Sequence, residues 1–169
     1  MGQSKIILGI DPGYGITGFG VVEVVGSNLH CFSYGTIATR ADEEFSQRLL
    51  ALHTELKALI EKYKPNLVAV EELFFSKNTK TAIKVAEARG VILLTAKLAK
   101  VPIVEYTPNQ VKQAISSYGK ADKKQVQRMV KILLGLDKIP HPDDAADALA
   151  IGICAASCSS LRFQSKIKS

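Results

Sequence analysis

KIILGIDPGYGITGFG, residues Lys5–Gly20, is the stretch from which the fold can be read. Its first half, Lys5–Asp11, is a nearly continuous apolar run that halts at Asp-Pro-Gly, the pattern of a buried strand ending in a turn. Ile16–Val25 follows as a second run, and Leu29–Ala38 as a third after a short Gly-Ser-Asn turn. Three such runs in series predict an antiparallel meander. The period then changes. Phe45, Leu49, Leu52, Leu56, Leu59, Ile60 and Tyr63 recur at helical spacing within Glu44–Lys64, which predicts an amphipathic helix stopped by Pro65. Leu67–Glu72 and Val101–Tyr106 read as further strands. Helices are predicted over Asn78–Ala99, Pro108–Ser117, Ala121–Leu134 and Pro142–Ser157. This order gives an α/β domain with a five-stranded mixed sheet, a meander on one side and parallel crossovers on the other, and helices on both faces. One domain over residues 4–158 is expected, followed by a basic mobile tail over 159–169.

Composition narrows the class. The chain of 169 residues is 47% apolar and 22% charged, enough for a full core and too varied for disorder. Three cysteines without close pairing give no disulfide framework. No apolar run reaches the roughly 18 residues of a membrane span. The N-terminus lacks the regions of a signal peptide, so a cytoplasmic setting is expected. A net charge of +6 favours a polyanionic partner such as nucleic acid.

Four acids stand apart from the solvated ones. Asp11 closes the first strand, Glu71 lies near the end of the fourth, and Asp144 and Asp147 open the last helix. Each lies among apolar neighbours, where a lone carboxylate is costly to bury. Asp147 is flanked by Ala145, Ala146, Ala148 and Leu149. If the first and fourth strands are neighbours, Asp11 and Glu71 meet at the crevice where open α/β sheets bind ligands. Four converging carboxylates repel one another unless a divalent cation neutralises them, and an all-oxygen donor set suits Mg²⁺ or Mn²⁺. Two such ions are a standard device for phosphodiester hydrolysis. Asp11, Asp144 and Glu71 also have ordinary explanations, and Asp147 has the weakest one. Asp-Pro-Gly is a common turn, acids favour a helix's first turn, and Glu71 or Glu72 could be a solvated strand end. Asp143 shares the helix face of Asp147, and spacing alone does not choose between Asp143 and Asp144.

The segments GIDPGYGITGFG, VAVEELFFSKNTKTAIKVAEARG and HPDDAADALAIGI, in that order, resemble the bacterial RuvC Holliday-junction resolvases from about Lys5 to Ala155. The resemblance implies an RNase H-like fold, a homodimer and Mg²⁺-dependent cleavage of four-way DNA junctions in recombination and repair. Two ions per subunit are expected, with Mn²⁺ able to substitute. The family's metal-binding acids fall on Asp11, Glu71, Asp144 and Asp147. Asp143 is left as an extra acid, and Glu72 stands where the family often has an amide. The family's functional lysines fall on Lys112 and Lys123, which the resemblance places near the scissile phosphate. Partnership with a RuvA–RuvB branch-migration complex is likewise implied.

Further DNA-facing groups are expected around these. Phe74 and Phe75 follow the fourth strand, and the resemblance selects Phe74 to stack on an unpaired base. Lys77, Lys80, Lys84, Lys120 and Lys124 join Lys112 and Lys123 as phosphate contacts. Gly90–Ala99 is apolar nearly all round, which suggests a subunit contact. His30, His53 and His141 lack zinc-ligand spacing, and Cys154 and Cys158 read as packing residues. Two other classes compete. A sugar-kinase-like ATPase opens with a similar strand and Gly-rich turn but needs two such domains. A non-catalytic junction-binding module would have no use for four acids.

Overall fold

A computed structural model describes residues 4–72, 79–116 and 121–166, with side chains at 79–80 and 159–166 excepted. Strands β1 (Lys5–Asp11), β2 (Ile16–Val25), β3 (Asn28–Ala38), β4 (Leu67–Glu71) and β5 (Ile103–Tyr106) form one sheet in the order β3-β2-β1-β4-β5. The β3-β2-β1 half is antiparallel, and β1-β4-β5 is parallel. This is the expected meander joined to crossovers.

Strand alternation sorts the core into two layers. Leu8, Ile10, Val21, Val68 and Val70 pack against α1 (Phe45–Tyr63) and α2 (Thr79–Leu98). On the other face, Ile7, Val22 and Ala69 meet α3 (Pro108–Ser116), α4 (Lys123–Leu133) and α5 (Asp143–Lys166). The same period of two carries Asp11 onto the face of Ile7, and Glu71 onto the face of Ala69. Both carboxylates therefore end their strands on the α5 side.

Two glycines set how close α5 comes. A Cβ on Gly9 would lie 2.1 Å from the Ala148 carbonyl oxygen, and one on Gly18 would lie 2.0 Å from that of Asp144. Any side chain there would lift the helix. Without one, the first turns of α5 rest on the strand backbone beside Asp11, which pairs with Gly18.

Most element limits lie within one or two residues of the sequence reading, and two of the differences have a plain physical cause. α5 continues to Lys166 rather than ending at Ser157, because no glycine or proline interrupts that stretch. β5 begins at Ile103 rather than Val101. The Val101 N–H is taken by the Ala96 carbonyl at the end of α2, and Pro102 has no N–H to offer a ladder.

Candidate active site

The strand ends supply the first two acids. Ile10 pairs with Val70 across the parallel β1–β4 ladder, so the next residues out, Asp11 and Glu71, stand side by side. α5 adds Asp143 and Asp144 in its first turn and Asp147 one turn later. α3 carries Lys112, and α4 opens with Lys123. Glu71, Lys112, Lys123 and Asp147 line a cleft of about 260 Å³ whose apolar wall includes Val111, Val126 and Ala150. A larger cavity, about 1010 Å³, lies at the opposite end of the parallel strands near Asn66 and Pro102. The smaller cleft is the chemical one, because it joins a carboxylate at a strand end, Glu71, and one from α5, Asp147, to two lysines.

The acids feel one another. Burial pushes the Asp11 carboxyl up to about 8, helped by the charges of Glu71, Asp147 and Asp144 and opposed by Lys123. Burial also raises Glu71, with Asp147 adding to it and Lys112 opposing. Asp147 is raised by burial despite the nearby Lys123 ammonium. Protons bind tightly here because negative charge is crowded in a poorly solvated place, and a hard cation answers the same need. Among the described residues, no three Asp, Glu, His or Cys side chains close around one point as ligands of a single ion would. The donor set therefore fits a divalent cation in charge and chemistry, with side-chain rotation needed to draw the oxygens inward.

Lys123 is the cation at hand. Its Nζ lies 3.2 Å from an Asp143 carboxylate oxygen and 3.3 Å from one of Asp147. Burial acts to lower its proton affinity, but the Asp143 hydrogen bond and the Asp147 charge outweigh that and raise it. Gln127 donates from Nε2 to the other Asp143 oxygen at 2.9 Å. Both contacts hold the Asp143 carboxyl below the usual range.

The remaining expected contacts divide. Lys84 stands over the rings of Tyr14 and Phe45, with its Nζ 5.7 and 5.6 Å from their centroids. Lys124 is exposed in the first turn of α4. Phe74, Phe75, Lys77 and Lys120 lie outside the described residues, as does the side chain of Lys80. His53 Nδ1 is 2.8 Å from the Thr95 hydroxyl, and His30 and His141 are exposed. Cys154 packs against α3, donating to the Gln110 carbonyl at 3.7 Å. Its thiol is pushed up to about 12 by burial and by Cys158.

Sequence reasoning missed Arg48. This residue is buried in α1, donating from Nη2 to the Tyr14 carbonyl at 2.9 Å and from Nε to the Thr39 hydroxyl at 3.0 Å. Thr39 in turn donates its N–H to the Gly15 carbonyl at 3.0 Å. Arg48 thus ties the turn that follows Asp11 to β3 and α1. The signal was available: Arg48 falls on the apolar stripe between Phe45 and Leu52, where a charge needs a reason.

A family model described as crossover junction endodeoxyribonuclease RuvC matches residues 7–155. A relative of that name from Caldicellulosiruptor saccharolyticus is 55% identical over 160 residues, covering 94% of this chain and 96% of its own. Another, from Syntrophomonas wolfei, is 54% identical over 148 residues, 88% of this chain and 86% of its own. Among solved structures, Thermus thermophilus RuvC in complex with a Holliday junction substrate superposes with a TM-score of 0.89. It is 37% identical and covers 93% of this chain and 96% of its own. The likeness spans the whole sheet, so the RNase H-like architecture expected above holds.

Proposed function

Because the chain belongs to the RuvC family of crossover junction endodeoxyribonucleases, we propose that it nicks four-way DNA junctions with the acids at the carboxyl ends of β1 and β4 and the start of α5. The observation that carries this assignment is the placing of Asp11 and Glu71 at adjacent strand ends beside the first turns of α5, so that the charges of Glu71, Asp147 and Asp144 crowd on Asp11. These four residues would hold the divalent cations, Mg²⁺ or Mn²⁺ and two per subunit. Such ions, when bound there, would supply activation of water and stabilisation of the leaving oxygen. Water attacks phosphorus in line, the bond to the 3′ oxygen breaks, and that oxygen takes a proton. The products are 5′-phosphate and 3′-hydroxyl ends.

The chain's own residues do the rest. Lys112 and Lys123, which both line the cleft, offset charge developing on the phosphoryl oxygens. Lys84 and Lys124 contact phosphates outside the cleft, and Phe74, Lys77, Lys80 and Lys120 are assigned to DNA on sequence grounds alone. Arg48 is a positioning residue for the turn after Asp11. Residues 4–158 are assigned to one nuclease domain.

A junction has two strands to cut and the described residues of each chain form one such cleft, so a two-fold homodimer is the working assembly. Ile83, Leu94 and Leu98 of α2 are all more than half exposed and fall within about 60° of one another around the helix, a face suited to a second copy. Coupling to a RuvA–RuvB complex follows from family membership, as does a cytoplasmic setting. Among the described residues, no helix is long and apolar enough to cross a membrane.

The test is a synthetic four-way junction incubated with and without chelator, with linear duplex as control. Paired symmetric nicks in the junction alone, lost on chelation, support the reading. Cleavage unaffected by chelator, or equal cutting of duplex, refutes it.

A further inference from the structure

We propose that Asp143 is a positioning residue that holds the Lys123 ammonium beside the acids and so sets how readily Asp147 gives up that ammonium for a metal ion. The inference rests on the metal-site reading above and concerns an acid of α5 that this reading leaves without a role.

Lys123 is the first residue of α4, where the helix dipole disfavours a cation. Its backbone has little freedom there. Asp122 caps the helix by accepting the Gln125 N–H at 2.8 Å, and the Gln125 side chain accepts the Asp122 N–H at 2.9 Å. The long side chain then reaches the start of α5 and divides itself between two carboxylates, Asp143 at 3.2 Å and Asp147 at 3.3 Å. Those two carboxylates differ in kind. Asp147 is half-buried and lines the cleft, whereas Asp143 is exposed and braced from its far side by Gln127.

The ammonium and a divalent ion compete for Asp147, since both are cations seeking the same oxygens. Without Asp143, Lys123 would have Asp147 as its one carboxylate partner among those described. With Asp143, the ammonium can shift its weight to a carboxylate outside the cleft while staying at the rim. Asp143 therefore lowers the energetic cost of metal entry and keeps Lys123 near the reacting phosphate.

The test is calorimetric titration of the full-length protein with Mn²⁺ alone, in the absence of DNA. Four proteins are compared: wild type, Lys123→Gln, Asp143→Asn and the double variant. Lys123→Gln removes the competitor, so Mn²⁺ should bind more tightly, by about threefold or more. Asp143→Asn leaves the ammonium on Asp147, and binding should weaken by a similar factor. The double variant should match Lys123→Gln, because Asp143 has nothing left to hold. An equal weakening by Asp143→Asn in both backgrounds would show that Asp143 is only a distant charge, and would overturn the proposal. So would a Lys123→Gln protein that binds Mn²⁺ no more tightly than wild type. Wild-type protein that fails to bind Mn²⁺ saturably, or binds it equally after Asp147→Asn, overturns the metal-site reading and the proposal together. The Lys123 and Asp143 side chains are 55% and 56% exposed, so neither substitution opens the core, and urea melts of each variant check the folding.

Discussion

Asp11→Asn should make the protein more stable and inactive at once. In a chelating buffer the folded chain keeps the Asp11 carboxyl at about 8, against an ordinary value of 3.8. The group is therefore protonated more readily when folded than when unfolded. Its contribution to stability is complete in acid, below about 4, and is lost as pH rises toward about 8. At pH 7 the loss amounts to roughly three pH units at 1.36 kcal/mol each, an upper bound of about 4 kcal/mol. Rotation of the carboxylates away from one another and the nearness of Lys123 reduce this, so about 2 kcal/mol is a working figure. The neutral amide removes the penalty. For a domain of this size, about 2 kcal/mol corresponds to a Tm higher by about 4–8 °C. Thermal melts of both proteins in chelator, from pH 5 to pH 9, read the effect directly. The gap between them should widen up to about pH 8 and level off above it, while added Mn²⁺ should stabilise the wild type far more than the variant. A gap that does not change with pH, or an Asp11→Asn protein no more stable than wild type at pH 8, would refute the idea that crowded negative charge defines the site.

Other consequences can be checked independently. Glu71→Gln, Asp144→Asn and Asp147→Asn should each lower junction cleavage by at least about two orders of magnitude while leaving junction binding in a gel-shift assay within about threefold. The half-saturating Mn²⁺ concentration for the wild type should fall by up to about tenfold per pH unit from pH 6 to pH 8, because the ion must displace the Asp11 proton. It should be flat above pH 8. Gly18→Ala would drive a methyl group into the Asp144 carbonyl. It should destabilise by about 1–3 kcal/mol in urea melts and slow cleavage by about a hundredfold, since the start of α5 moves away from β1. Leu56→Ala, which hollows out a fully buried α1 position, should cost about 2–5 kcal/mol in the same melts and leave the cleavage rate of the folded fraction unchanged.

Much of the architecture was legible before any coordinates, because local periodicity is a local property. The apolar run Lys5–Asp11, the helical spacing from Phe45 to Tyr63 and the stop at Pro65 each need only a few neighbouring residues to be read. The resemblance of three motifs, in order, brought the family within reach, and the comparisons agree with it. Residues whose importance depends on what lies across the fold were harder. Gly9 and Gly18 look like ordinary strand glycines until α5 is laid on them. Arg48 looks like one more helix arginine until its guanidinium is found buried against the turn after Asp11.

The sequence by itself determined which side chains could do the chemistry, because carboxylates and lysines are fixed by the chain and strand ends by its pattern. Only the tertiary structure decided which of them meet. Asp143 and Asp144 are neighbours along the chain, and spacing cannot separate them. In the fold, Asp143 faces Lys123 and Gln127 on α4, while the charge of Asp144 bears on Asp11. The difference arises because α5 is pinned to the sheet by the close approach at Gly9 and Gly18, and that contact fixes the rotation of the helix and with it the direction of every acid it carries.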